Sequence, residues 1–105
     1  MTDNLFSGEG EFPIERIAQS EAIYMNDVNI TSAKLIADVA IQDTDQIIFY
    51  MAVSATESGT YTFEQVTNNV SHVFSATGKW IKWKARFLGY AGNSTYFENL
   101  RIQIE

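Results

Sequence analysis

The residues able to do chemistry are few: one histidine, thirteen carboxylates, seven cations and no cysteine. Without cysteine there is no thiolate nucleophile, thiolate metal site or disulfide framework. A hydroxyl nucleophile needs a base beside it. The one histidine, His72, sits in the alternation Val70, His72, Phe74 with no acid next to it, which reads as a core or edge histidine. The closest carboxylate pair is Asp43 and Asp45. Paired carboxylates can do acid–base work, but these two flank Thr44 in a polar turn, where Asp is favoured for backbone reasons. Calcium needs six to eight oxygens, more than this pair and a few carbonyls supply. No glycine-rich phosphate loop, zinc spacing or Walker pattern is present. The expectation is a protein without a catalytic site, cofactor or metal.

Two other patterns suit binding. Lys82, Lys84 and Arg86 alternate with Ile81, Trp83, Ala85 and Phe87. Period-two alternation puts the cations on one face of a strand and the bulky apolar residues on the other. Such a row of cations is either a solvated face that discourages unwanted edge pairing or a contact stripe for an acidic partner. Trp80, on the cation side, and the loop tyrosines Tyr90 and Tyr96 could stack on sugars; the plainer reading has Trp80 capping the sandwich or packing under the N-terminal segment. Three glycosylation-type sequons, at Asn29, Asn69 and Asn93, read as chance in a chain rich in Asn, Ser and Thr.

The elements that must position these residues are strands. Residues 74–87, FSATGKWIKWKARF, read as a strand end, a tight turn at Thr77-Gly78 and a long half-buried strand. Ala33, Leu35, Ala37, Val39 and Ile41 alternate against Lys34, Asp38 and Gln42, a second strand. Residues 47–53, IIFYMAV, form a short apolar run that reads as a central strand buried on both faces. Tyr61, Phe63 and Gln65 mark a short strand, and Leu100, Ile102 and Ile104 the last one. Seven to eight strands with turns every eight to twelve residues predict an all-β, antiparallel β-sandwich or jelly roll. Residues 1–20 read differently. Leu5, Phe6, Phe12, Ile14 and Ile17 have no clear period, Ser7 to Glu11 is flexible and acidic, and Pro13 could open one helical turn. This segment is expected to be an extended arm before a sandwich domain at residues 21–105, with its apolar residues available to cover a neighbouring surface.

At 105 residues and 46% hydrophobic composition the chain fits one domain with its own core. The net charge of −6 argues against nucleic acid as a partner. Charge is uneven: residues 1–57 hold ten acids and two bases, and residues 58–105 three acids and five bases. The start lacks the basic and apolar regions of a signal peptide, and no apolar run reaches the ~20 residues needed to span a membrane.

Several segments together resemble a β-sandwich module of tailed-bacteriophage and prophage virion proteins. They begin at Ile23-Tyr24 and include NITSAKL at residues 29–35, FEQVT at 63–67 and HVF at 72–74. Residues 47–54, IIFYMAVS, are similar to the family's aromatic "YYxS" strand. Residues 77–85, TGKWIKWKA, are similar to its "TGxxLxWRAxL" segment, and residues 96–102, YFENLRI, to "PxLxxLxI". The resemblance covers about 80 of the 105 residues. Ala55 to Gly59 replace the usual Asp-Gly-Gly turn, and Phe63 replaces the following Trp. The module occurs in capsid decoration (cement) proteins and in tail or baseplate proteins. A nearly lone module with an arm implies a decoration protein, made in the host cytoplasm, that binds the virion capsid surface and clamps adjacent copies of the major capsid protein. The implied assembly is a homotrimer or homodimer. Phe6, Phe12, Ile14, Lys82, Lys84 and Arg86 would then be the partner-binding residues. The alternative is a tail or baseplate carbohydrate- or receptor-binding module using Trp80, Tyr90 and Tyr96.

Overall fold

The alternating segments become eight strands in the computed structural model, which describes residues 13–25, 27–90 and 93–105. They are β1 (Pro13–Gln19), β2 (Ile23–Tyr24), β3 (Ile30–Ala40), β4 (Gln46–Ser54), β5 (Glu64–Val66), β6 (Ser71–Gly78), β7 (Trp80–Tyr90) and β8 (Tyr96–Ile104). One sheet has the order β1-β7-β4-β5, with β2 paired to β7 beyond the end of β1. The other has the order β6-β3-β8. All pairings are antiparallel, and the sheets pack face to face as an all-β sandwich. Among the described strands the chain changes sheet at five of seven connections, so most pairings join strands distant in sequence.

The buried core takes Ile30, Ala33, Leu35 and Ala37 from β3, Phe49, Met51 and Val53 from β4, and Ile81 and Ala85 from β7. Ile30, Leu35, Met51 and Ile81 are the largest fully buried side chains, each worth about 1.5–3 kcal/mol of burial. Phe97 of β8 joins the layers, stacked on Phe87 at 5.6 Å and edge-on to Phe49 and Trp83. A bulge aims it. Ile36 pairs with Arg101 but Asp38 pairs with Glu98, so one residue of β3 faces two of β8. Asn99 takes up the extra residue in the left-handed region, at φ 57°. Leu100 and Phe97, three positions apart, thereby both reach the core.

Three expectations need correction. Residues 13–19 are neither arm nor helical turn; they form β1, paired along their whole length with β7. The cause is register. Arg16 and Ala18 share the inner-face register of Phe87 and Ala85, while Ile17 lies beside Arg86 on the outside, so the strand shows no apolar alternation. Second, the run 47–53 is a central strand but is buried on both faces only in its second half. Phe49, Met51 and Val53 face the core and Ala52 is buried on the outer side, whereas Ile48 and Tyr50 are half-buried there. Third, Val39 and Ile41 continue the alternation of β3 but stand exposed where the strand runs past the core.

The turn expected at Thr77-Gly78 falls later: both residues end β6 and the chain bends at Lys79 to change sheet, with Gly78 required by close approach. A Cβ on Gly78 would lie 2.1 Å from the Ser54 carbonyl oxygen, at the end of β4. This corner delivers β7, with its cations outward, onto β4.

Candidate binding face

The outer face of the five-stranded sheet carries the cations found in the sequence. Lys82, Lys84 and Arg86 pair with Ala52, Tyr50 and Ile48 of β4. Lys82 crosses small Ala52 and places Nζ 4.5 Å from the centre of the Tyr61 ring. Lys84 Nζ sits 4.6 Å from both the Tyr50 and the Phe63 rings. Each such contact contributes about 0.5–1 kcal/mol at an exposed site. Arg86 donates from Nε to Glu15 of β1. The hydrogen bonds it donates to Glu15 and to Tyr50 favour its charged form, so its pKa is raised. Two of the cations, Lys82 and Lys84, are laid over aromatic rings, and Arg86 is tied to the neighbouring strand β1. The result is a broad positive face with little side-chain freedom left to lose.

Trp80 lies at one end of this face, half-buried, with its ring 5.0 Å from that of Tyr24. Tyr24 donates its hydroxyl to Asp27, and Lys79 Nζ lies 3.5 Å from the same carboxylate. The Tyr24 hydrogen bond, then the charge of Lys79, holds the Asp27 carboxyl below its usual range.

At the opposite end a cleft of about 350 Å3 opens between β1, β7 and β8, with Arg16, Phe87, Tyr96 and Phe97 in its lining. Asp45, only 8% exposed, forms its polar end. It accepts hydrogen bonds from Asn93 Nδ2 at 2.8 Å and Thr95 Oγ1 at 2.6 Å. The β3–β4 turn is thus clamped to the approach to β8. Gly89 leaves the space: a Cβ there would lie 2.3 Å from Asp45 Oδ1. Asp43, the other half of the carboxylate pair, is exposed with φ 56°. Among the described residues no cluster of three or more His, Asp or Glu is placed to hold a metal ion.

His72 has an acid partner that sequence proximity did not show. Its Nε2 lies 2.7 Å from Glu64 Oε1, and Glu64 Oε2 accepts from the Ser75 hydroxyl and from the Ser75 N–H at 3.1 Å. The Ser75 bonds, aided by His72, hold the Glu64 carboxyl below its ordinary value. These are the residue types of a hydrolytic triad in the wrong order. The carboxylate stands between serine and histidine, whereas activation needs the imidazole there. The cluster ties β5 to β6.

Of the residues selected from sequence, Lys82, Lys84 and Arg86 are brought together on one face. Trp80 and Tyr90 are separated by the length of β7, roughly 33 Å at ~3.3 Å per residue, so Trp80 shares no platform with Tyr90 or with Tyr96, which lies at the far end. Phe6 and Phe12 lie outside the described residues, as do the side chains of Ile14 and Tyr90. The rings of Tyr50, Tyr61 and Phe63 were missed as part of the face. Their odd-and-even placement opposite the β7 cations was the available signal, but it needs the β7-β4-β5 strand order. Compared with known proteins, the chain matches no family model, no curated protein and no solved structure.

Proposed function

We propose that the chain is a structural protein of a tailed-bacteriophage virion, a decoration or cement protein that docks on the capsid exterior and clamps adjacent major capsid subunits. The observation that carries this reading is the pre-ordered cationic face. Long flexible cations lose about 0.5–1.5 kcal/mol each when an interface immobilises them. Lys82 and Lys84 already lie against rings and Arg86 is already bonded to Glu15, so that loss is smaller here, and an acidic protein surface gains oriented donors. The sequence resemblance to virion β-sandwich modules supports the same reading, and Phe6 and Phe12 are the proposed apolar anchors, Ile14 being part of β1. The mechanism is added interface area between shell subunits, with no reaction.

Electron cryomicroscopy of purified particles tests this directly. Many copies over the shell, with the β7–β4 face towards the capsid subunits, are expected. Copies confined to the tail, or none on the particle, refute it. A second reading, a tail glycan- or receptor-binding module, is favoured by the cleft, where Tyr96 and Phe87 supply rings beside Asp45 and Asn93. Glycan-array binding that disappears in Tyr96→Ala would support it, and an array without signal would remove it.

A further inference from the structure

We propose that β1 is a homodimer edge: two copies join antiparallel through β1, about a two-fold axis at Ile17, and fuse their large sheets. This goes beyond capsid docking and stands without it.

The backbone of β1 decides which groups are on offer. Ser20 donates its N–H to the Trp83 carbonyl at 3.0 Å, and the Trp83 N–H returns to Ser20 Oγ at 3.0 Å. Hydrogen-bonded and non-bonded pairs alternate along an antiparallel ladder. Ala18 and Arg16, in register with Ala85 and Phe87, therefore aim their backbone groups at β7. Glu15, Ile17 and Gln19 aim theirs outward. Among the described strands none pairs with this edge. It runs seven residues in unbroken register.

The other described edges are blunted in the ways that prevent sheet-to-sheet pairing. β8 is broken by the Asn99 bulge. β2 and β5 are two and three residues long. On β6 the Ser75 N–H is taken by Glu64. β1 has Pro13 at its start and Arg16 in the inward register, and neither obstructs one particular register.

That register is centred on Ile17. It sets Ile17 against Ile17, Glu15 against Gln19 and Arg16 against Ala18 of the second copy, while Pro13 falls beyond the end of the partner strand. Ile17, 59% exposed in the single chain, gains an apolar neighbour, Glu15 gains an amide, and Arg16 gains the space over alanine. All three outward-facing residues become hydrogen-bonded pairs, giving six backbone bonds across the axis. Moving the axis to Arg16 opposes two arginines, and moving it to Ala18 opposes Glu15 and Glu21. Like charges directly opposite each other destabilise a strand pair. Parity, charge and exposure all select the same axis.

The test uses the full chain. Sedimentation velocity from micromolar to millimolar concentration is expected to show a monomer–dimer equilibrium. Ile17→Pro removes two of the six bonds and places a ring at the axis. It is expected to weaken dimerisation roughly tenfold or more. Its far-UV spectrum should be unchanged, because the lost N–H does not serve β7. Ile17→Cys reports the register, since the chain has no other cysteine. Hydrogen-bonded pairs hold Cα atoms ~5.5 Å apart, within disulfide range. Mild oxidation should therefore cross-link it much faster than Val73→Cys, an exposed control on β6. A monomer at all concentrations, a dimer unaffected by Ile17→Pro, or equal cross-linking of the two cysteine variants would each overturn the proposal.

Discussion

Replacing Gly78 with alanine probes the corner where β6 hands the chain to β7. The added Cβ would lie 2.1 Å from the Ser54 carbonyl oxygen, 2.3 Å from its carbon and 2.8 Å from the Ala55 nitrogen. Ordinary contact begins near 3.4 Å, so the strand ends must separate by about 1.3 Å. All three atoms are backbone, and no rotamer relieves the clash. Separation strains the Ile30–Gly78 and Ser54–Trp80 pairs. Overpacking alone costs about 1–3 kcal/mol, and two weakened backbone bonds add about 0.5–1.5 kcal/mol each. A total of about 2–6 kcal/mol follows. At about 4–8 °C per kcal/mol for a domain of this size, the melting temperature should fall by at least ~8 °C. Circular dichroism melts would measure it, with Gly59→Ala as the control. There the near contacts at 2.5 and 2.6 Å are the Ser54 and Thr56 hydroxyls, which can rotate away, so its loss should be much smaller. If Gly78→Ala melts within ~3 °C of the parent, or no lower than Gly59→Ala, the tight corner is wrong.

Three further outcomes are expected. The Glu64 carboxyl is held below its ordinary value by Ser75 and His72, so its contribution to stability is full above the unfolded carboxylate range and is lost as pH falls through the folded value. Urea titrations of Glu64→Gln between neutral pH and acid should therefore show a shallower acid loss than the parent, and parallel curves would refute it. Asp45→Ala should cost about 1–3 kcal/mol by orphaning Asn93 and Thr95, and hydrogen exchange should speed up at residues 42–46 and 93–95 while β6 is unchanged. A double-mutant cycle between Lys84→Met and Phe63→Leu should give about 0.5–1 kcal/mol of coupling, and a value near zero would mean the lysine does not rest on the ring.

The parts of the fold read correctly from sequence are those whose partners do not alter the pattern. Ile81, Trp83, Ala85 and Phe87 alternate cleanly because β7 lies in the middle of a sheet with one dry face. β1 was hidden because it is an edge strand whose inner register carries Arg16 and whose outer one carries Ile17. The clamp at Asp45 was hidden for another reason. Its hydrogen-bonding partners lie 48 and 50 positions away, and nothing local distinguishes a buried aspartate in a turn from the exposed Asp43 two residues earlier. The cations of the candidate face were legible; the rings beneath two of them were not, because Tyr61 and Phe63 reach them across β4.

Pro13 pairs with Tyr90, 77 positions later in the chain. During synthesis at ~5–20 residues per second, β1 emerges roughly 4–15 seconds before the far end of β7 exists. The first described strand to be made is thus among the last to find its place, and its docking closes one of the longest loops in the fold. Pairings of such separation slow folding. For those seconds Ile14, Ile17 and the strand's backbone are open to other nascent chains on the same message, which makes the speed of translation, as much as the final packing, a determinant of how cleanly this sandwich assembles.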